Sequence, residues 1–132
     1  MLLDSINLNS MSNRIMITGV LYVVIFGFGF LLTRFGNPYS TVLLTVHKLA
    51  SIAVVFVVYK SFSTVHQAAG LNSMVIIVGV ITGIAFIGTV ATRGLISIGG
   101  DIPQLVYSVH RVMPLLTVIS TAACLYLLKN YV

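Results

Sequence analysis

Apolar residues gather along the chain into four runs, Ile15 to Leu32, Tyr39 to Tyr59, Met74 to Thr92 and Gln104 to Leu128, each bounded by a charge, a proline or a polar cluster. Each run is close to the roughly 20 residues that cross the hydrocarbon core of a bilayer as a helix. None alternates as a barrel strand does, and an isolated strand in lipid would leave its backbone N–H and C=O groups unpaired, so all four are predicted to be helices. The connection Gly36-Asn37-Pro38 is short and makes an antiparallel hairpin of the first two spans. Lys60 to Ser73 and Arg93 to Pro103 read as longer polar or glycine-rich loops. Pro38 and Pro103 stand near helix starts, where a missing N–H does little harm.

The second half of the chain echoes the first. Gly19-Val20 matches Gly79-Val80, Thr33-Arg34 matches Thr92-Arg93, Pro38 matches Pro103, and Val46-His47-Lys48 matches Val109-His110-Arg111, all in the same order. Each copy, about 14–60 and about 74–129, holds two spans and so crosses the membrane in the same sense as the other. The expected architecture is an all-α integral membrane four-helix bundle. It is a single transmembrane domain over residues 1–132, built from two parallel two-helix repeats about a pseudo-two-fold axis along the membrane normal.

Composition removes the soluble alternatives. Of 132 residues, 58% are hydrophobic and 7% charged, against about 45–50% and about 25% in a soluble domain. Four spans use nearly all of that apolar content, which leaves no room for a separate soluble catalytic domain. Seven Lys/Arg oppose two Asp for a net charge of +5, a balance that in a soluble chain would suggest nucleic acid. Here the cations fall mostly at span ends, where they meet lipid headgroups, so the bilayer is the expected partner and nucleic acid is not.

Four spans place both termini and the 60–73 loop on one side, called side A. Arg14, Lys60 and Lys129 lie near it; Arg34 and Arg93 lie near side B, with Lys48 and Arg111 deeper. The positive-inside count is nearly balanced, and with the deeper pair set aside it leans to the termini being cytoplasmic; a prokaryotic cytoplasmic membrane is the expected location. The single cysteine, Cys124, lies in the last run, which excludes a disulfide within the chain and points to packing. Met1 to Asn13 carries no basic n-region and the first run is span-length, so no cleaved signal is expected.

Two histidines carry the chemistry. The repeat puts His47 in the second span and His110 in the fourth at similar depth, about 9–12 Å below side B at 1.5 Å per residue. Ionisable or polar side chains at such depth usually face the interior and mark function. Neutral imidazole is a common metal ligand, but zinc needs three or four protein ligands and the spans offer no third. A haem brings four nitrogens of its own and needs only axial ligands, so His47 and His110 suffice for one six-coordinate haem b. No C-x-x-C-H is present to attach it covalently.

The neighbours agree with a macrocycle, and each also has a plainer reading. Lys48 and Arg111 follow the histidines and lean back toward side B, where with Arg34 and Arg93 they could pair with haem propionates or simply snorkel to headgroups. Gly27, Gly29 and Gly88 fall near the same depth and could leave space for a flat ring or serve helix packing, as Gly79-x-x-x-Gly83 does. Pro114 cannot donate to the carbonyl of His110 and could bend the helix there. His66 is read as a residue of the side-A loop with no second histidine near it. The tyrosines stand mostly toward span ends, as an aromatic belt would.

Four helices, paired histidines on spans two and four, and a basic residue after each resemble the four-helix membrane b-type cytochromes, including the cytochrome b561-like group and the cytochrome b subunits of respiratory oxidoreductases. The resemblance covers the architecture and the His47/His110 pair. It implies one-electron transfer at side B with a quinone or a partner redox protein. Members commonly hold two haems with four span histidines; this chain lacks the side-A pair, so it is similar to a small one-haem member. The spans hold no Asp or Glu, which argues against a carboxylate proton relay and against a small cation transporter. The rival reading is a non-haem accessory or assembly subunit with structural histidines. The glycine-rich spans would also serve a homo-oligomer.

Overall fold

The computed structural model describes residues 8–35, 40–98 and 101–130. These form four helices, α1 (Leu8–Phe35), α2 (Thr41–Ala69), α3 (Ser73–Ile98) and α4 (Gln104–Lys129), with no strand among the described residues. All four are long and apolar enough to cross a membrane, and the chain is an integral membrane protein. Gly36-Asn37-Pro38, Tyr39 and Tyr131 lie outside the described residues.

The helices outrun the apolar runs, which corrects both longer loops. Residues 60–69 continue α2, and residues 93–98 continue α3. Polarity does not break a helix when no proline or positive-φ glycine interrupts it. In the α2 extension the hydroxyls turn back onto their own helix, Ser61 donating to the Val57 carbonyl at 2.7 Å and Thr64 to that of Lys60 at 2.7 Å. At 29 residues α2 is about 43 Å long, well beyond a hydrocarbon core of roughly 30 Å, so its polar end reaches the headgroups. The stop is Gly70, whose φ of +64° is the left-handed conformation that ends many helices. Two residues on, Asn72 starts α3 by accepting the Val75 N–H on its side chain at 3.0 Å.

The chain divides into two compact units, one carrying α1 and α2 and the other α3 and α4. In each, two antiparallel helices meet along a seam whose buried positions are spaced by three, four, seven or fourteen residues, as along a heptad stripe. In the first hairpin the seam holds Met11, Thr18 and Leu32 on α1 with Ala50, Val54, Ser61 and Val65 on α2. In the second it holds Val75, Thr82 and Ala85 on α3 with Thr117, Thr121, Cys124 and Leu128 on α4. The small side chains among them, such as Ala50, Ser61, Thr82, Ala85 and Thr121, let two backbones approach closely where lipid supplies no hydrophobic drive between helices. Among the described residues no buried side-chain N or O lacks a hydrogen-bond partner. The outer faces are apolar and exposed, as at Val23, Phe30, Ile52, Ile87, Val90 and Ile119, which suits a hydrocarbon solvent.

Candidate functional site

In the first hairpin His47 is the seventh residue of α2, counted from Thr41. It occupies a seam position, three residues before buried Ala50 and seven before Val54, so the ring turns toward α1. Its Nδ1 lies 2.9 Å from the carbonyl oxygen of Ile25. A carbonyl only accepts, so Nδ1 carries the proton and the lone pair of the neutral ring sits on Nε2. Gly29, one turn beyond Ile25, makes room: a Cβ there would stand 3.2 Å from the His47 Cε1. Ser51 donates to the His47 carbonyl at 2.8 Å.

In the second hairpin His110 is the seventh residue of α4, counted from Gln104. It too lies on the seam, seven residues before buried Thr117. Its Nδ1 meets the hydroxyl of Thr92 at 2.9 Å. That hydroxyl also lies 2.8 Å from the Gly88 carbonyl and 3.1 Å from that of Thr89. Further along the seam, the Thr89 and Thr117 hydroxyls are 3.2 Å apart. Helix α4 runs unbroken through Pro114, which has no N–H to offer the His110 carbonyl.

The glycines separate into three cases. Gly29 gives its space to His47, while Gly88 gives its space to Met113, whose Cε would be 2.6 Å from an added Cβ. Nothing lies within 4 Å of a Cβ at Gly27. Lys48, Arg111 and Arg34 are exposed and Arg93 is half-buried. Arg34 sits in the last turn of α1 and Lys48 follows His47, so these two cations of the first hairpin belong to its closed end. His66 lies in the last turn of α2 rather than in a loop, stacked on Phe62 with ring centroids 6.4 Å apart.

Each hairpin thus contributes one span histidine, held at Nδ1 by a group on its partner helix. No set of three or more His, Cys, Asp or Glu gathers among the described residues, so a metal held by protein donors alone finds no ligand set there. His47 belongs to one compact unit and His110 to the other, and the described residues show no histidine pair gathered to ligate a haem; what each hairpin does show is an imidazole whose Nδ1 is engaged by the neighbouring helix, as in many metal-bound histidines and many structural ones. The Ile25 carbonyl and the Thr92 hydroxyl escaped the sequence reading. Any residue can offer a carbonyl, whereas Thr92 stood in the matched Thr33-Arg34 and Thr92-Arg93 pairs and served only to mark the repeat. No protein-family model, curated protein or solved structure matches the chain.

Proposed function

We propose that this chain is a membrane-embedded b-type haem protein carrying one electron at a time, with His47 and His110 as the two axial ligands of a single haem. The observation that carries the reading is the shared placement of the two imidazoles: each is the seventh residue of the second helix of its hairpin, on the seam, with Nδ1 engaged by the first helix. Haem, when bound, supplies the one-electron couple. The chain's residues do the rest. The apolar spans would exclude water, His47 and His110 would hold the iron, and Lys48, Arg111, Arg34 and Arg93 would supply cations suited to propionates. Electrons would be exchanged with a quinone in the bilayer or with a redox-protein partner. The test is a reduced-minus-oxidised absorption spectrum of the detergent-purified full chain from haem-replete cells, with extraction and identification of the pigment. Sharp reduced α and β bands from non-covalent haem b are expected; a colourless protein overturns the reading.

One observation favours a second reading. An Nδ1 bonded within its own hairpin is also what a purely structural histidine would show, as in a non-haem accessory or assembly subunit. The same spectrum separates the two.

A further inference from the structure

The hydroxyl of Thr92 has one proton and three neighbours able to take it, and which of them takes it bears on the tautomer of His110. The shortest contact is to the Gly88 carbonyl, four residues back, at 2.8 Å. Three other threonine hydroxyls of the second hairpin make the same bond, Thr82 to Val78, Thr89 to Ala85 and Thr117 to Met113, each at 2.8 Å. With its proton on Gly88, Thr92 meets the His110 Nδ1 at 2.9 Å through a lone pair, and Nδ1 must then be the donor. The opposite polarity would put the His110 proton on Nε2 and spoil that nitrogen as a ligand.

We propose that Thr92 is a positioning residue: it accepts the Nδ1–H of His110, fixes the ring as the Nδ1–H tautomer and so keeps the ligating lone pair on Nε2. The use of that lone pair by haem rests on the function proposed above; the tautomer does not. The chain His110 Nδ1–H to Thr92 O–H to Gly88 C=O polarises in one direction, each bond strengthening the next. It raises the electron-donating power of the imidazole, as acceptors behind metal-bound histidines do. His47 reaches the same tautomer through the Ile25 carbonyl, a main-chain group that no side-chain substitution removes. Thr33, the sequence counterpart of Thr92, donates to the Gly29 carbonyl at 2.8 Å and is exposed.

The test uses the full chain, labelled with ¹⁵N-histidine and produced under haem limitation, in wild type, T92V and T92S. Nitrogen chemical shifts distinguish a protonated ring nitrogen from one bearing a lone pair, and His110→Gln assigns the signals. Wild type is expected to show a protonated Nδ1 and an unprotonated Nε2 at His110. T92V loses that pattern, T92S keeps it, and the His47 signals stay in place in both variants as the internal control. A protonated Nε2 in wild type, or a His110 pattern indifferent to T92V, overturns the proposal. On adding haem, the T92V midpoint potential should rise above that of wild type and T92S should stay near it, because a weaker acceptor leaves a poorer donor on ferric iron. A protein that stays colourless while its nitrogen shifts respond to T92V overturns the haem reading alone. A red protein whose shifts and potential ignore T92V overturns the positioning role alone.

Discussion

The two hairpins share one histidine position and differ in everything that supports it. In the first, Ala50 and Val54 are buried near the middle of α2, with the His47–Ile25 bond on the closed-end side of them and further polar contacts toward the open end. There Arg14 donates to Thr64 at 3.3 Å, and Thr18 and Ser61 are buried. In the second, hydroxyls continue through the middle of the seam, from Thr92 and Thr89 to Thr117, Thr121 and Thr82. The ring of His47 rests over Gly29 and bonds main chain, while that of His110 bonds a side chain and leaves Gly88 to Met113. Repetition in sequence therefore conveys where an imidazole enters the seam. How it is held was solved separately in each half.

The largest expected effect comes from breaking the seam of the first hairpin at Val54. Val54 is fully buried near the middle of α2, and V54D should cost about 2.5–3.5 kcal/mol, the scale for an aspartate at the centre of a membrane helix. Detergent-driven unfolding in mixed micelles reads it, and a loss below 1 kcal/mol would show that the α1–α2 seam is not the packed element described. Next is Gly29→Ala. Overpacking against His47 costs about 1–3 kcal/mol, against a helix gain of about 0.5–1 kcal/mol for replacing glycine. A net loss and moved His47 resonances are expected. Gly27→Ala should instead be neutral or slightly stabilising, and Gly88→Ala should be absorbed by rotation of the Met113 end. Equal effects at Gly29 and Gly27 would remove the distinction between them. The smallest effect is Thr89→Val, which deletes the hydroxyl's bond to the Ala85 carbonyl and its contact to Thr117 and should cost about 0.6 kcal/mol, the average for hydrogen bonds in a membrane protein.

Much of this could be read in advance from particular residues. Span-length apolar runs gave four helices, and the matched Val-His-Lys and Val-His-Arg triplets picked out both seam histidines. The helix ends were misplaced because polarity was taken to mean loop. Yet Ser61 and Thr64 satisfy their hydroxyls on their own helix, and the stop waits for Gly70. His66 was set in a loop for the same reason. Gly88 was grouped with Gly29 by depth, although the residue filling its space, Met113, lies on the opposing helix and had no reason to stand out. The partners of the imidazoles were hidden for two physical reasons. A carbonyl has no sequence signature, and a threonine in a membrane helix ordinarily spends its hydroxyl on its own backbone.

The central claim is that both halves serve one cofactor, and haem stoichiometry with ligand variants tests it most directly. Haem per chain and low-spin absorption bands would be measured for wild type, His47→Ala and His110→Ala, all purified alike from haem-replete cells. The account predicts one low-spin haem b per wild-type chain and loss of the six-coordinate spectrum in each variant separately. A colourless wild type, or a low-spin spectrum that survives removal of either histidine, would contradict it.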